Sequence, residues 1–223
     1  MPALLTLPTR PDRVVIADSV IAAARRIDAC PSLLLLENFL DSTLAEQCYQ
    51  SLVQQAWPTS TYSVFGRSFS LPRQQTWHAD AGIVYSYSNN LLPARPWSSL
   101  LTHLRRRIEV TTGIDFNAVL VNYYRSGDDY VGWHSDDEIE MGDSPVIASL
   151  SLGATRPFSF RQKALRQEHA PYANLPSESA VLLPAGSLLL MEPEFQTQWE
   201  HSVLPCSENN GRINLTFRRV LPP

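Results

Sequence analysis

The sequence predicts an α+β fold in which helices near the N-terminus pack on a β sandwich or jelly roll. Seventeen prolines and nine glycines, with mostly short apolar stretches between them, are typical of many turns and short strands. Two helical patterns precede about eight strand patterns, an order that favours helices lying against two packed sheets. With 223 residues, 44% of them hydrophobic, the chain has enough apolar surface for the core of one domain.

The first helical patterns lie near the N-terminus. Residues 1–35 are predicted to form an extension packed on the domain, with a short helix over Val20–Arg26. Residues 36–223 are predicted to form a single domain. Asp41 is a suitable N-cap for a helix over Thr43–Gln55, in which apolar residues recur at helical spacing.

A second helix and a series of strands follow. Ser98 and Ser99 cap a helix that is predicted to end near Gly113, with leucines and an isoleucine on one face. Residues 82–87 alternate as a strand would, within a region of about 60–95 that carries aromatic and arginine residues. The other predicted strands are Leu33–Leu36, Phe116–Tyr124, Val146–Leu152, Pro157–Arg161, Ala180–Leu183, Ser187–Met191 and Arg212–Val220.

The net charge of −4 argues against a protein that binds nucleic acid through bulk positive charge. Any such binding would depend on local basic clusters, and the alternative is that these arginines are only solvated faces. The candidate clusters are Arg105–Arg107, Arg67 with Arg73, and Arg161 with Lys163 and Arg166.

Membrane and secretion signals are not found in the sequence. No stretch approaches the roughly 20 apolar residues of a membrane span, and the first residues lack the apolar segment of a signal peptide. The three cysteines are scattered without CxxC spacing, so neither a disulfide framework nor a thiolate metal site is indicated. We therefore expect a cytoplasmic or nuclear protein that is not secreted or membrane-bound.

A candidate metal site combines two separate segments. His134 and Asp136 lie two residues apart, so on an extended segment both side chains point to one face. His201, on another predicted strand, supplies a third ligand. Two histidines and a carboxylate form the facial set of non-haem iron(II) oxygenases, but hydrolytic zinc sites use the same three ligands. The ligands alone leave both metals open.

The last predicted strand favours iron with a dicarboxylate co-substrate. Alternation places four polar side chains on one face of the strand and three apolar ones on the other. Two guanidiniums on the polar face suit a ligand with two carboxylates, such as 2-oxoglutarate, because arginine forms planar bidentate pairs with carboxylates. The alternative is an edge strand whose polar face lies in water. The polar face consists of Arg212, Asn214, Thr216 and Arg218.

These residues together resemble the AlkB family of oxidative dealkylases, over roughly residues 60–220. Residues 122–138, NYYRSGDDYVGWHSDDE, are similar throughout to the family's NxYxxGxDxxGxHxDDE stretch, and residues 212–218 match its RxNxTxR signature. Residues 64–67, 72–74 and 80–85 resemble the branch that contains the human homologues acting on duplex DNA. The resemblance implies a double-stranded β-helix, or jelly-roll, core with iron(II) at His134, Asp136 and His201.

The resemblance also implies a co-substrate site. Arg212 would pair with the distal carboxylate of 2-oxoglutarate, and Arg218 would lie near the carboxylate at the metal. Four further side chains would complete this site: Asn122, Tyr124, Asn214 and Thr216.

A substrate site is implied in the same way, with its nucleotide-recognition part at about residues 60–95. Phe65 would wedge into the duplex, with Arg73 beside it. Tyr85 and Tyr87 would stack on the flipped base, and Glu138 would contact its exocyclic nitrogen. An enzyme that acts on a base within a duplex has to extrude it, and aromatic walls with a carboxylate can then read it.

The activity implied is oxidative demethylation of bases such as 1-methyladenine and 3-methylcytosine in DNA, coupled to decarboxylation of 2-oxoglutarate with O2. The partner would be alkylated DNA or RNA, bound by a monomer. Two alternatives remain at this point. The chain could be an iron(II) and 2-oxoglutarate oxygenase acting on methylated RNA, protein or a small molecule, or a non-catalytic binder of alkylated nucleic acid.

Overall fold

Four helices and sixteen strands make up the part of the chain that the computed structural model describes, residues 16–58, 61–64, 67–83, 86–87, 90–91, 93–143, 145–163 and 175–221. The helices are α1 (Asp18–Ala23), α2 (Ser42–Val53), α3 (Ser99–Thr112) and α4 (Pro193–Gln198), and a 3-10 turn covers Ile139–Met141. The strands are β1 (Arg25–Ile27), β2 (Cys30–Leu36), β3 (Thr61–Val64), β4 (Arg67–Ser70), β5 (Gln74–Ala79), β6 (Ser86–Tyr87), β7 (Asn90–Leu91), β8 (Ala94–Arg95), β9 (Ala118–Tyr124), β10 (Val131–His134), β11 (Ile147–Gly153), β12 (Arg156–Gln162), β13 (Glu178–Leu183), β14 (Leu188–Met191), β15 (Trp199–Val203) and β16 (Arg212–Arg218).

Two antiparallel sheets form the centre of the fold. The larger sheet has eight strands in the order β1-β2-β14-β11-β16-β9-β5-β8, and only the β5-β8 pair at one edge is parallel. The smaller sheet has four strands in the order β10-β15-β12-β13. The chain crosses repeatedly between the two sheets, as in a jelly roll. The α+β fold with a jelly-roll core that the sequence predicts is confirmed.

Alternation along the strands produces two separate apolar layers. In β2, Leu34 faces helices α2 and α3, while Leu33 and Leu35 face the smaller sheet. The space between the sheets is filled at one end by aromatic side chains such as Phe160 and Trp199. At the other end the inner face of the larger sheet is polar, and the candidate site lies there.

The two long helices begin and end as the sequence predicts, within two residues. The Asp41 carboxylate accepts a hydrogen bond from Leu44 N (2.9 Å), and Ser98 Oγ accepts one from Leu101 N (3.2 Å). Each cap of this kind contributes about 1 kcal/mol. Helix α3 ends at Gly113 in the left-handed conformation, with φ 74°, which glycine adopts without steric cost. None of the described helices is long and apolar enough to span a membrane.

Several predicted elements differ from the structure. Helix α1 ends at Ala23, and Arg25–Ile27 pairs with β2 as strand β1, so the helix predicted over Val20–Arg26 is too long. Ala81 and Gly82 form a turn, so the strand predicted over 82–87 does not begin at Gly82; Ser86–Tyr87 is a strand, and Val84 and Tyr85 lie outside the described residues. Strand β5 was missed because its residues are mostly polar, although the sheet buries five of its six.

Strand β2 lies between β1 and β14 in the larger sheet, with Leu34 opposite Leu190. Part of the predicted extension therefore belongs to the sheet itself. The division of the chain at residue 35 stays a prediction.

The arginine block on helix α3 is engaged within the chain. Arg105 pairs with Asp80 (Nη1–Oδ1, 2.7 Å) and with Glu109 (Nε–Oε1, 2.9 Å), and its guanidinium lies 4.9 Å from the centre of the Trp97 ring. Arg107 donates to the carbonyl of Phe39. These contacts tie α3 to neighbouring segments, and contact of this block with nucleic acid stays a prediction.

Candidate active site

Two of the predicted metal ligands are direct partners across two paired strands. Strand β10 pairs with β15 so that His134 lies opposite His201, and the centres of the two rings are 4.2 Å apart. His134 Nδ1 lies 2.9 Å from the carbonyl oxygen of Gly132. Since a carbonyl only accepts, Nδ1 carries the proton and Nε2 keeps its lone pair for a metal.

Asp136 completes the group from the loop after β10. One ligand atom from each of His134, Asp136 and His201 lies within 4.8 Å of the others. Asp136 Oδ2 pairs with Arg218 Nη2 at 2.9 Å, and both side chains are only 2% exposed. Oδ1 lies 3.7 Å from His134 Nε2 and has no hydrogen-bond partner within the described residues. The carboxylate thus keeps one oxygen directed at the histidines.

Burial of the two histidines, and the positive charges around Asp136, keep these groups in the protonation states that a metal requires. Burial lowers the pKa of His201 to about 3, helped by the nearby His134. Burial also lowers the pKa of His134. For Asp136, burial raises the pKa, but the charges of Arg218 and of the two histidines outweigh burial, and the pKa lies below its usual value. Neutral imidazoles and an ionised carboxylate can bind a metal without first losing protons.

The last strand, β16, lies between β9 and β11 and is buried on both faces. An edge strand with its polar face in water is therefore excluded. Ile213, Leu215 and Phe217 join the core under the helices. The four polar residues of the opposite face line one pocket together with the three candidate ligands.

Arg212 is a buried cation with unused donors. Its Nη2 donates to Ser151 Oγ at 2.9 Å, while Nε and Nη1 have no hydrogen-bond partner in the part of the chain that is described. Burial lowers the pKa of Arg212 to about 10, and no carboxylate of the described residues pairs with it. A buried guanidinium without a counter-charge is costly unless an anion binds to it.

The remaining pocket residues are mostly held by one another. Asn214 lies opposite Asn122 on β9, and its Nδ2 donates to Ser149 Oγ at 2.7 Å. Thr216 Oγ1 donates to Asn214 Oδ1 at 3.0 Å. Tyr124 lies opposite Arg212 in the same register. These contacts fix the polar wall of the pocket before any ligand enters.

The structure describes only some of the predicted substrate residues. Arg73 is buried in the pocket wall, where its Nε donates to Asn122 Oδ1 at 3.0 Å, so its guanidinium lies with the co-substrate residues. Glu138 is half-buried two residues after Asp136 and is not part of the pocket lining. Phe65 and Tyr85 lie outside the described residues, as does the side chain of Tyr87.

Sequence reasoning missed several residues around the pocket. Ser149 and Ser151 alternate with leucines in β11, a pattern that could have marked them as facing the polar side of β16. Phe158 packs against His201, with ring centres 5.1 Å apart. Gln196, on the unpredicted helix α4, accepts a hydrogen bond from Asp136 N at 2.8 Å. No local pattern distinguishes this glutamine.

The loop between β9 and β10 determines where His134 lies. Arg156 is fully buried and donates to the carbonyls of Ser126 (3.1 Å), Asp129 (3.2 Å) and Leu204 (2.7 Å). Gly127 packs so closely on the segment after β15 that an added Cβ would lie 2.1 Å from the carbonyl oxygen of Cys206. These contacts join the two segments that carry the histidines.

Within this loop, the carboxylate of Asp129 binds Arg125. This carboxylate accepts from Arg125 Nε (2.7 Å), Nη2 (2.8 Å) and backbone N (2.9 Å). Burial raises the pKa of Asp129, but the hydrogen bonds and charge of Arg125 outweigh it and the pKa lies below 3.8. Such a group stabilises the fold above its unfolded-state pKa, and the contribution is lost as the pH falls through the folded-state pKa.

We expect Asp129→Asn to lower the free energy of unfolding by about 1 kcal/mol at pH 7, a modest value because Arg125 is 53% exposed. The difference from the original chain should begin to shrink as the pH falls below about 4, where Asp129 of the unfolded chain takes up a proton, and it should be lost as the pH falls through the lowered pKa of the folded chain. Urea unfolding at pH 7 and pH 3 measures both values. Asp128→Asn, an exposed change in the same loop, is the control. An equal difference at both pH values would show that the charge of Asp129 is not responsible.

Comparison with known proteins adds three findings. The model of the 2OG-Fe(II) oxygenase superfamily matches residues 32–218. Bovine DNA oxidative demethylase ALKBH2 is 42% identical over 161 residues, covering 71% of this chain and 57% of the relative. Rat alpha-ketoglutarate-dependent dioxygenase alkB homolog 3 is 34% identical over 224 residues, covering 99% of this chain and 75% of the relative. The chain thus spans little more than half the length of the bovine relative.

A solved structure of OsALKBH1 has the same fold. It superposes with a TM-score of 0.58 at 17% identity, and the match covers 88% of this chain and 99% of that chain. At this level of identity the likeness concerns the fold alone.

The superfamily implies bound iron(II) and 2-oxoglutarate, and the residues present fit both. Asp136 Oδ1 and His201 Nδ1 are buried without a hydrogen-bond partner among the described residues, as free ligand atoms of a metal site would be. The unpaired donors of Arg212 suit a carboxylate in the same pocket. Fold, site and relatives agree: the chain belongs to the 2OG-Fe(II) oxygenase superfamily and, within it, to the AlkB family.

Proposed function

We propose that the chain is an iron(II) and 2-oxoglutarate dependent dioxygenase that removes alkyl groups from N-alkylated bases, such as 1-methyladenine and 3-methylcytosine, in DNA. The observation that carries this proposal is the pairing, in one pocket, of a three-ligand metal group with the uncompensated guanidinium of Arg212. A zinc hydrolase could use the same three ligands. It would not require a buried guanidinium in the same pocket, which suits the carboxylate of an organic co-substrate.

When bound, iron(II) with 2-oxoglutarate and O2 supplies the oxidation of an alkyl C–H bond on a base nitrogen, with succinate and CO2 as co-products. The hydroxylated alkyl group then leaves the nitrogen as an aldehyde. The residues of the chain contribute binding, orientation and charge. His134, Asp136 and His201 hold the metal.

The co-substrate is bound at the polar wall of the pocket. Arg212 holds the distal carboxylate of 2-oxoglutarate through its two free donors, while Asn122 and Tyr124 hydrogen-bond the same molecule. Arg218 keeps the Asp136 carboxylate ionised and directed at the metal, since its guanidinium lies 2.9 Å from Oδ2. Asn214 and Thr216 shape the pocket between these two arginines.

The substrate base enters from the side of His134. The side chain of His134 is 23% exposed, whereas that of Asp136 is 2% exposed, so the metal group opens towards solvent beside His134. In this proposal Phe65 fills the gap in the duplex, Tyr85 and Tyr87 stack on the flipped base, and Glu138 receives its exocyclic amino group. Arg73 contributes from the co-substrate side of the pocket, because its Nε is hydrogen-bonded to Asn122.

The names of the ALKBH2 and alkB homolog 3 relatives support DNA as the substrate and 2-oxoglutarate as the co-substrate. The net charge of −4 means that phosphate contacts have to come from local cations, and we expect binding to weaken as salt rises. One chain supplies all three metal ligands, which supports action as a monomer. We place the protein in the cytoplasm or nucleus, where its nucleic-acid substrate would be.

The test is turnover of methylated oligonucleotides by the purified chain with iron(II), ascorbate and 2-oxoglutarate. Single-stranded DNA, duplex DNA and RNA that carry 1-methyladenine or 3-methylcytosine are supplied in parallel. We expect one succinate for each unmodified base formed in DNA. Turnover confined to RNA would reject DNA as the substrate, and binding of methylated DNA without any turnover would indicate a non-catalytic binder.

A further inference from the structure

Gln196 is a buried side chain that contacts the metal group without belonging to it. It lies on the six-residue helix α4, between β14 and β15, and is 1% exposed. Its Oε1 accepts a hydrogen bond from the backbone N–H of Asp136 at 2.8 Å, across 60 residues of sequence. Since Asp136 is also buried, this amide oxygen is the group that satisfies the Asp136 N–H.

The orientation of the Gln196 amide is defined by its two neighbours. A backbone N–H can only donate, so the oxygen of the amide has to face Asp136. Nε2 then faces Met191 Sδ at 3.3 Å, a weak acceptor on the pocket wall. Because the contact of Nε2 with the Met191 sulfur is weak, the hydrogen bond between Oε1 and the Asp136 N–H is the main polar interaction of this side chain.

One direct hydrogen bond and a bridge through Lys163 also join the same two segments. Ser135 Oγ donates to the carbonyl of Trp199 at 2.9 Å. Lys163 Nζ donates to the carbonyl of Gln196 (2.8 Å) and pairs with Asp137 (3.0 Å). The loop of residues 135–137 is therefore attached at each position to α4 or to the start of β15. Strand β15 itself carries His201.

Asp136 is thus held by its side chain and by its backbone. Arg218 holds Oδ2 of the side chain, and Gln196 holds the backbone nitrogen. Rotation of the backbone here would move Oδ1 away from the two histidines, because the side chain is short. With side chain and backbone both fixed, Oδ1 stays directed at the imidazoles before a metal arrives.

We propose that Gln196 is a positioning residue that holds Asp136 in the geometry needed to bind the metal. The proposal rests on the proposed function, in that it takes His134, Asp136 and His201 as ligands. Residues that orient metal ligands typically change metal affinity by about 10- to 100-fold when they are replaced. Gln196 acts through Asp136 and does not touch the metal itself.

The test compares Mn(II) binding to the metal-free full chain, its Gln196→Met variant and its Gln198→Met variant. Methionine matches the length of glutamine but replaces the amide oxygen with a methyl group, and its thioether sulfur, one atom further back, is only a weak acceptor. Gln198 lies on the same helix, and its side-chain Oε1 has no hydrogen-bond partner among the described residues, so it is the matched control. Mn(II) affinity is read by titration calorimetry, and the unfolding temperature of the metal-free chains is measured separately.

We expect Mn(II) affinity to fall by about 10- to 100-fold in Gln196→Met and to stay within about twofold in Gln198→Met. A Gln196→Met chain that melts earlier but binds Mn(II) as tightly as the original would overturn the proposal, since Gln196 would then only stabilise the fold. If Gln196→Met does not fold, Gln196→Asn is used in its place. The shorter side chain keeps the amide but moves its oxygen away from the Asp136 N–H. A normal affinity in Gln196→Asn would equally overturn the proposal.

The same experiment distinguishes failure of the positioning role from failure of the metal site. An original chain that binds Mn(II) weakly or not at all would reject the three-ligand site, and the role of Gln196 with it. An original chain that binds Mn(II) tightly, with an unaltered Gln196→Met variant, would reject the positioning role alone.

Discussion

Replacing Asp136 by asparagine is expected to abolish turnover and to destabilise the chain. The asparagine oxygen is neutral, so it binds a divalent cation more weakly than the carboxylate does. The change also leaves Arg218 buried without its counter-charge, and breaking a buried pair in this way costs about 3–5 kcal/mol. Succinate formation should fall below detection, and urea unfolding of the metal-free chain should show the loss of stability.

Asp128→Asn is the matched control for this change. Asp128 is exposed in the loop before β10, so its replacement should alter neither turnover nor stability measurably. If Asp136→Asn kept both turnover and Mn(II) affinity, the assignment of Asp136 as a ligand would be wrong. Unchanged stability in the metal-free chain would contradict the buried pair with Arg218.

Arg212→Met is expected to weaken 2-oxoglutarate binding while leaving the fold intact or more stable. Truncating one partner of a buried, hydrogen-bonded charge pair costs about 2–5 kcal/mol of binding free energy. In the ligand-free chain, however, Arg212 has no carboxylate partner among the described residues, so methionine removes a desolvated charge. A substitution that weakens ligand binding but raises the free energy of unfolding indicates that the original residue is retained for its ligand.

The measurement is calorimetric titration of 2-oxoglutarate into Mn(II)-loaded chains, with thermal unfolding of the ligand-free chains alongside. Arg219→Met, an exposed arginine just past the end of β16, is the control and should bind 2-oxoglutarate normally. A lower unfolding temperature with normal 2-oxoglutarate affinity in Arg212→Met would mean that Arg212 supports the fold and does not bind the co-substrate.

The last strand could be predicted from sequence because its information is local. Alternation over seven residues separates the polar from the apolar face, whereas burial of both faces follows from the place of the strand inside the larger sheet. The same holds for helices α2 and α3, whose capping residues lie beside them in sequence. The family motifs then connect β16 with the segment that carries His134 and Asp136 as parts of one site.

Contacts made across the chain could not be predicted in this way. Strand β5 contains glutamine, threonine and histidine, and only its pairing with β9 and β8 explains its burial. Gln196 contacts Asp136 because α4 packs beside the loop after β10, which no sequence pattern shows. Arg73 was placed with the wedge residue on resemblance, whereas its hydrogen bond to Asn122 depends on how β5 and β9 pair.

The most direct test of the central claim, that one pocket binds a metal and 2-oxoglutarate together, is titration of 2-oxoglutarate with and without Mn(II). The account predicts tight binding to the Mn(II)-loaded chain and binding weaker by at least about tenfold to the metal-free chain, because one carboxylate of the ligand then has only the protein to contact. Succinate, which lacks the 2-oxo group, should show a smaller dependence on the metal. Equal 2-oxoglutarate affinity with and without Mn(II), or no binding in either state, would contradict the claim.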